Sequence, residues 1–432
     1  MQTLVDPVPE VLKIKARLNL SQRLGEFESL KIIEKSLSKN RLIDVEKSFI
    51  PDYPYYSYIP AAVDYLSSVS ELLTSYTSYQ AEISQGLLQI LFEFQSLICE
   101  LTGMDVANAS MYDHSTALSE ALLMAIKLTD KKKVLIPKFM RKERKQVVYT
   151  YLRPHNIEIY EYHIDEKGFM DLEEIENNIK DSAAFYAENP TYFGIIDPHI
   201  LNVDEIVKKN NAIFIVGAEP ISLGLFREPV DYGADIVIGE AQHLAINPYY
   251  GGPSLGFIAC RNDLKLIHSM PGRIVGMTST LDGSNEGFIL ALQAREQHIK
   301  REKATSNITT NTSWLAVRAA IYISLLGKTG LKRLAVRIFN NTKILIQQLQ
   351  KIHFANVLFP DSVHFRNVLV KINKDANEII NKIYSAGYAF GKNLSKDFPE
   401  FVDCLLLGVN ELHNKEAIIA ACKTFEEFLK NV

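Results

Sequence analysis

The sequence predicts an α/β protein with a large, mostly parallel sheet domain and a small C-terminal α+β domain. Three observations predict it. Short apolar runs of strand length alternate with helical segments between about residues 134 and 260. A long helical stretch follows, over 312–352. The tail then alternates two apolar runs with two helical patterns.

In chain order, residues 1–50 are polar, lysine-rich helix formers. The stretch "PDYPYYSYIP" (51–60) carries three prolines and four tyrosines and reads as irregular chain, either an interaction arm or a loop lying on the body. Leu87, Ile90, Leu91, Phe94, Leu97, Ile98 and Leu101 repeat at helical spacing, with Ser84 as N-cap and Gly103 as the stop. A second helix begins near Ser115, read as its N-cap, and carries Leu118, Ala121, Leu122 and Ala125. "VLIP" (134–137), "IEIYEYHI" (157–164), "AAFYA" (183–187), "AIFIV" (212–216), "DIVIG" (235–239) and "LGFIAC" (255–260) read as strands, and 172–179 and 203–209 as helices between them. The tail offers strands at 368–372 and 404–409 and helices at 375–385 and 415–429. The expected division is an N-terminal arm (1–60), a large α/β domain (61–312), and connecting helices with the small domain (313–432).

Composition narrows the function classes. The 432 residues are 47% hydrophobic and 23% charged, with a net charge of −4, so no charge balance draws the chain to nucleic acid or an anionic membrane. No apolar run approaches membrane-spanning length, and the N-terminus lacks a signal-peptide core. Cys99, Cys260, Cys404 and Cys422 lie far apart in apolar runs, as buried thiols of a reducing cytoplasm do. Dinucleotide fingerprint, P-loop, nucleophile elbow and zinc-protease motif are all missing, and the ten histidines form no metal-ligand pair.

The predicted architecture is also that of fold-type I pyridoxal-phosphate enzymes, which need a Schiff-base lysine in a loop after a late strand and an acid against the pyridine nitrogen. Between Asp231 and Asp263 there is no lysine. The strand at 212–216 runs on through Gly217 and Ala218 before Glu219, an acid about two residues late for the pyridine nitrogen. The residues therefore read as the cofactor scaffold without its covalent anchor.

"YTSYQAEISQGLLQILFEFQSLICELTGMDVANASMYD" (76–113), "GADIVIGEAQHLAINPYYGGPSLGFIA" (233–259), "MPGRIVG" (270–276) and "REQHIKREKATSNIT" (295–309) closely resemble the glycine cleavage system P-protein family. The similarity is to its N-terminal half, a separate alpha chain (subunit 1) in many bacteria and archaea. The resemblance implies glycine dehydrogenase (decarboxylating) activity: with pyridoxal phosphate the enzyme decarboxylates glycine and passes the aminomethyl group to the lipoyl arm of the H-protein. It implies that a beta chain (subunit 2) carries the Schiff-base lysine and the covalently bound cofactor. It also implies that alpha and beta pair pseudo-symmetrically, that such pairs dimerise into a heterotetramer, and that one partner's residues complete the other's site.

By position, Thr77, Tyr79, Gln80 and Glu82 match the family's Thr-Pro-Tyr-Gln-Pro-Glu segment, and Asn108, Ser110 and Asp113 its Ala-Asn-Ala-Ser and following Asp. Arg273 matches the arginine of Met-Pro-Gly-Arg, and Thr305, Ser306 and Asn307 the Ala-Thr-Ser-Asn segment. These are the candidate shared-site, cofactor-proximal residues. Arg273 suits a carboxylate or phosphate clamp and, equally, an interface salt bridge. Thr305, Ser306 and Asn307 suit a phosphate or a helix cap, and His298, in a charged segment, suits a solvated or ion-paired role. Glu240, Gln242 and His243 occupy the loop where an active chain keeps its lysine, and either fill that place or cap the loop.

The departures are specific. Ser78 and Ala81 replace both prolines, which costs on the order of 0.5 kcal/mol each if the loop shape is kept. Ser48–Tyr53 stands in place of the family's glycine-rich segment, and His114 puts an imidazole beside Asp113, where it would crowd a phosphate. An autonomous pyridoxal-phosphate enzyme, a diverged paralogue and a non-catalytic structural or regulatory subunit are the alternatives the residues leave open.

Overall fold

The computed structural model describes residues 8–13, 19–51, 55–73, 80–291, 301–303, 306–308 and 312–430. Two compact units divide at Ile43/Asp44. In the first, the described helix is α1 (Glu26–Leu37), with no buried residue. The second holds everything below.

Here α2 (Ala61–Ser67) and α3 (Gln85–Thr102) precede a seven-stranded sheet. Gly103 ends α3 in the left-handed region at φ 72°, where a Cβ would meet the Val230 side chain at 2.2 Å. Next come β1 (Val106–Ala107), α4 (His114–Thr129), β2 (Lys133–Pro137), α5 (Lys142–Leu152), β3 (Glu158–Tyr162), α6 (Leu172–Asn178), β4 (Ala184–Asn189), α7 (Val203–Lys209), β5 (Ile213–Ala218), β6 (Ile236–Glu240) and β7 (Gly256–Cys260). The strand order is β1-β7-β6-β5-β4-β2-β3. Strands β3, β2, β4, β5 and β6 pair in parallel, whereas β7 is antiparallel to both β6 and β1.

The strands are continuously apolar because both faces of the sheet are covered. In β4, Phe185 and Ala187 enter one core while Ala184 and Tyr186 enter the other. Phe214 and Val216 of β5 share the first core, and Ile215 the second. Helix α3 supplies Leu88, Leu91, Phe94 and Ile98 to the first face, and α4 supplies Ala117, Leu118, Ala121, Leu122 and Ala125 to the second.

Beyond α8 (Leu264–Ser269), β8 (Ile274–Ser279) and β9 (Glu286–Ala291) form an antiparallel hairpin that the sequence reading did not include. The 37-residue α9 (Ser313–Leu349) is interrupted at Gly327, whose φ of 56° and ψ of −179° are non-helical. Its first part packs Leu315, Ala319, Tyr322 and Ile323 into the large-sheet core, and its last part packs Leu345 and Leu349 into a separate one. That second core belongs to a four-stranded sheet of β10 (Ala355–Val357), β11 (Asn367–Ile372), β12 (Lys392–Asn393) and β13 (Cys404–Gly408), ordered β10-β11-β13-β12, with α10 (Ala376–Ser385) and α11 (Lys415–Lys430).

Phe49, from far earlier in the chain, is buried in this small-sheet core. Its N–H donates to Ala389 O at 2.7 Å, its carbonyl accepts from Gly408 N–H at 3.0 Å, and its ring lies 5.3 Å from that of Phe390. Among the described residues no helix is long and apolar enough to cross a membrane. The four cysteines form no disulfide.

Candidate functional site

In an open parallel sheet, ligands bind in the crevice beyond the carboxyl ends of the strands. Here that crevice opens past β4, β5 and β6. Glu188 comes from β4, Gly217 and Ala218 from β5, Glu219 directly after it, Glu240 from β6 and His243 from the turn that follows. His114 at the start of α4 and Arg144 of α5 close one side. Tyr55 and Phe365–Asn367, at the start of β11, close the other, leaving a cavity of about 70 Å³.

Two buried ion pairs fill the walls. In the first, Arg366 Nη2 lies 3.4 Å from Glu219 Oε1, and His243 Nε2 lies 2.9 Å from the same oxygen. The Arg366 guanidinium stacks 4.2 Å from the centroid of Tyr55. Burial pushes the Glu219 carboxyl up, but the Arg366 charge and the His243 contact outweigh it and hold it below the ordinary value. Arg366 is only 2% exposed, and its Nε and Nη1, like His243 Nδ1, have no hydrogen-bond partner among the described residues.

In the second, Arg144 Nη1 is paired with Glu188 Oε1. Tyr186 O–H donates to that oxygen at 2.9 Å, and His114 Nε2 lies 2.9 Å from the Tyr186 oxygen. Since the tyrosine proton goes to Glu188, His114 must donate from Nε2–H. Burial, then the charges of Arg144 and Arg141, push His114 well below its ordinary value and keep the imidazole neutral.

Glu240 sits between them. Its Oε1 accepts from the N–H groups of Gln242 at 3.1 Å and Leu255 at 3.0 Å, and its Oε2 from that of His114 at 3.1 Å. Burial nevertheless pushes the carboxyl up to about 7, and the nearby Asp113 charge adds to it.

The residues singled out in the sequence fall into three places. Asn108, Ser110, Asp113, Arg273, Ser306 and Asn307 gather around the start of α4. Asn108, fully buried, donates from Nδ2 to Pro271 O at 3.0 Å and to Ser110 O at 3.3 Å. Ala109 N–H donates to Arg273 O at 2.7 Å, and Thr312 Oγ1 donates to Ser110 Oγ. Ser306 Oγ donates to Glu120 Oε1 at 3.1 Å, and Asn307 O accepts from Tyr112 O–H at 2.8 Å.

Asp113, not Ser115, is the N-cap of α4: it accepts from Thr116 N–H at 2.9 Å, and Thr116 Oγ1 accepts from Asp113 N–H at 3.2 Å. The correction has a physical reason, because a carboxylate one residue before the helix closes a reciprocal capping box that Ser115, already inside it, does not.

Gln80 and Glu82 stand apart and exposed, on the short turn before α3. There Gln85 joins the turn to the hairpin, donating to Phe288 O at 2.9 Å and accepting from Phe288 N–H at 2.8 Å. Thr77, Tyr79, His298 and Thr305 lie outside the described residues.

In the lysine-free loop, Glu240 and His243 line the crevice, while Gln242 ties the loop by donating to Ile246 O. His114 turns toward Tyr186 rather than toward Asp113's free side. Sequence reasoning missed Tyr55, Arg144, Glu188 and Arg366. The one available signal was a charged residue inside an otherwise apolar element, as in "HFRNVLV".

Among the described residues no lysine lines the crevice, so pyridoxal phosphate finds no Schiff-base partner there.

The sequence profile described as glycine cleavage system P-protein matches residues 1–425. The probable glycine dehydrogenase (decarboxylating) subunit 1 of Pyrococcus horikoshii is 41% identical over 431 residues, spanning 99% of this chain and 95% of its own. That of Saccharolobus islandicus is 41% identical over 437 residues, spanning 100% and 94%. Among solved structures, glycine decarboxylase (P-protein) of the glycine cleavage system, in inhibitor-bound form, superposes with a TM-score of 0.89 at 31% identity over 99% of this chain and 94% of its own. A Burkholderia pseudomallei sphingosine-1-phosphate lyase, at TM-score 0.66 and 12% identity, shares the fold alone. The architecture is that of fold-type I pyridoxal-phosphate enzymes.

Proposed function

This chain belongs to the glycine cleavage system P-protein family, and from that premise we propose that it is the alpha subunit (subunit 1) of glycine dehydrogenase (decarboxylating). With a beta subunit it decarboxylates glycine and delivers the aminomethyl group to the lipoyl arm of the H-protein. The observation that carries this reading is the full-length match to subunit 1 relatives in a chain whose own strand-end crevice has no lysine among its lining residues. Pyridoxal phosphate is accordingly held covalently by the beta chain.

Of the residues matching family motifs, Gln80, Glu82 and Asn307 are exposed and available to a partner. Thr77 and Tyr79 adjoin the first two in sequence, and Thr305 the third. Asn108, Ser110, Asp113 and Ser306 bond within their own chain, so their role is to shape the start of α4, with Arg273 beside them. The division into arm (1–60), large domain (61–312) and small domain (313–432), a cytoplasmic location and a heterotetramer of two alpha–beta pairs belong to the same proposal.

The test is reconstitution. The purified chain is mixed with its beta partner, the lipoylated carrier, pyridoxal phosphate and labelled glycine, and bicarbonate–glycine exchange is followed. Activity well above that of beta alone is expected, and no gain sinks the reading. The inward engagement of Asn108, Ser110 and Asp113 favours a purely scaffolding subunit as the second reading. It holds if Tyr79→Phe, Gln80→Ala and Asn307→Ala all leave the exchange rate of the complex unchanged.

A further inference from the structure

In a two-stranded hairpin both strands are edges, and each leaves outward backbone N–H and C=O groups without a ladder partner. The hairpin of β8 and β9 is of this kind, and two glutamines of α3 take one such pair each. Gln95 Oε1 accepts from Val275 N–H at 2.8 Å, and its Nε2 donates to Val275 O at 3.0 Å. Gln85 makes the same two bonds to Phe288 of β9, and its Nε2 also donates to Ala81 O at 2.6 Å. Each side-chain amide thus exchanges two bonds with one strand residue, as a neighbouring antiparallel strand would. The Phe288 ring packs against Phe92 of the same helix, with 5.6 Å between centroids. The two glutamines differ in what they hold. Gln95, buried, fixes β8 two residues after Arg273. Gln85 holds β9 and, through Ala81, the turn with Gln80 and Glu82. That turn's own bonds are local, from Ile83 N–H to Gln80 O and from Ser84 N–H to Ala81 O, each at 3.2 Å. They shape the turn, whereas Gln85 ties it to a strand 203 residues away.

We propose that Gln85 is a positioning residue of the shared site: it locks the turn carrying Gln80 and Glu82 against β9, on a hairpin whose other edge Gln95 anchors. This rests on the reading of the chain as the alpha subunit, in which that turn is offered to the partner's site. Groups that serve a neighbouring subunit's reaction must be fixed within their own, since a displacement of about 1 Å costs up to about a hundredfold in rate. Gln85 touches no reacting group and acts through the turn. A glutamine is suited to this, because one planar amide offers both an acceptor and two donors. Glutamate keeps only the acceptor, and leucine neither.

The full chain alone tests the clamp, and the complex tests its purpose. In the chain alone, Gln85→Leu should speed amide hydrogen exchange about tenfold or more in residues 80–84 and 286–290, while β4, β5 and β6 keep the parent rates. Gln85→Glu should fall between the two. Gln89→Leu is the control and should match the parent, since that amide lies on the same helix but bonds to Glu93 at 3.2 Å. In the complex with beta subunit, lipoylated carrier and pyridoxal phosphate, Gln85→Leu should lower kcat for bicarbonate–glycine exchange about tenfold or more at saturating chain, with KM for glycine within about threefold. Excess variant chain should not restore the rate. Parent-like amide exchange in the turn and β9 overturns the clamp. Faster amide exchange with unchanged kcat, or activity restored by excess chain, overturns the positioning role. A parent chain that gives no gain over beta alone sinks the alpha-subunit reading and the positioning role with it, while the amide exchange rates still decide the clamp.

Discussion

Glu240→Gln turns the buried carboxyl of the crevice into a stability measurement. Glu240 titrates at 4.5 in its ordinary state and at about 7 in the folded chain, a gap worth about 3 kcal/mol. The sign follows from which state holds the proton. Below pH 4.5 both folded and unfolded chains carry it, and the full stability is present. As pH rises from 4.5 to 7 the unfolded chain releases the proton while the folded chain keeps it, so the wild type loses stability with rising pH. Above about 7 both states are ionised and the loss is complete.

Glutamine never ionises, but its amide nitrogen replaces one oxygen that now accepts a backbone N–H, from His114, Gln242 or Leu255, at a pH-independent cost of about 1–3 kcal/mol. The variant should therefore be the less stable protein at pH 4.5 and should draw level with the wild type, or pass it, by pH 8. The assay is urea unfolding from pH 4.5 to 8, read by the fluorescence of the single tryptophan, Trp314. Asp197, also pushed up by burial, to about 6, contributes a slope of the same sign to both proteins and cancels in the difference. Two parallel stability curves would refute the reasoning.

Three further outcomes are expected from the same geometry. Arg144→Met and Glu188→Gln should each cost about 3–5 kcal/mol by stranding a buried charge, and the double variant should cost clearly less than their sum in guanidinium chloride titrations. Gly194→Ala should cost about 2 kcal/mol or more in the same titration, because its φ is +81° and the added methyl would sit 2.3 Å from the Asn367 carbonyl oxygen. Phe94→Ala should cost about 3–5 kcal/mol by emptying the core between α3 and the sheet, with a thermal midpoint shift as the readout.

The strands of the large sheet were legible because burial on both faces makes them short, continuous and apolar: "AIFIV" could be little else between two helical runs. Helix α5 was not, since "KERKQVVYTYL" mixes charge with β-branched and aromatic residues, and its buried face is an arginine, Arg144, in line with only two aliphatics, Val148 and Leu152. The hairpin of β8 and β9 carries a turn signal in its sequence, Asp282-Gly283 between the two extended runs.

The crevice is the harder case. Glu219 stands two residues late for a pyridine nitrogen in the sequence, and in the fold it serves a guanidinium 147 residues away. Nothing local to Arg366 or Tyr55 announces that pairing. Only the return of the chain from the small sheet, with Arg366 at φ 69°, brings them together.

Phe49 gives the fold a timetable. Its ring and both its backbone groups meet residues between Ala389 and His413, so roughly 340 residues must follow it before the first of these partners exists. At ordinary synthesis rates that is a wait of about 15–70 s on the ribosome. The large sheet, complete in sequence by Cys260, can assemble in the meantime, while the small sheet's core stays open at its N-terminal side until nearly the whole chain has emerged. A nascent chain stalled beyond the large sheet presents an unclaimed phenylalanine to the cell, and the arrival of the small sheet closes it.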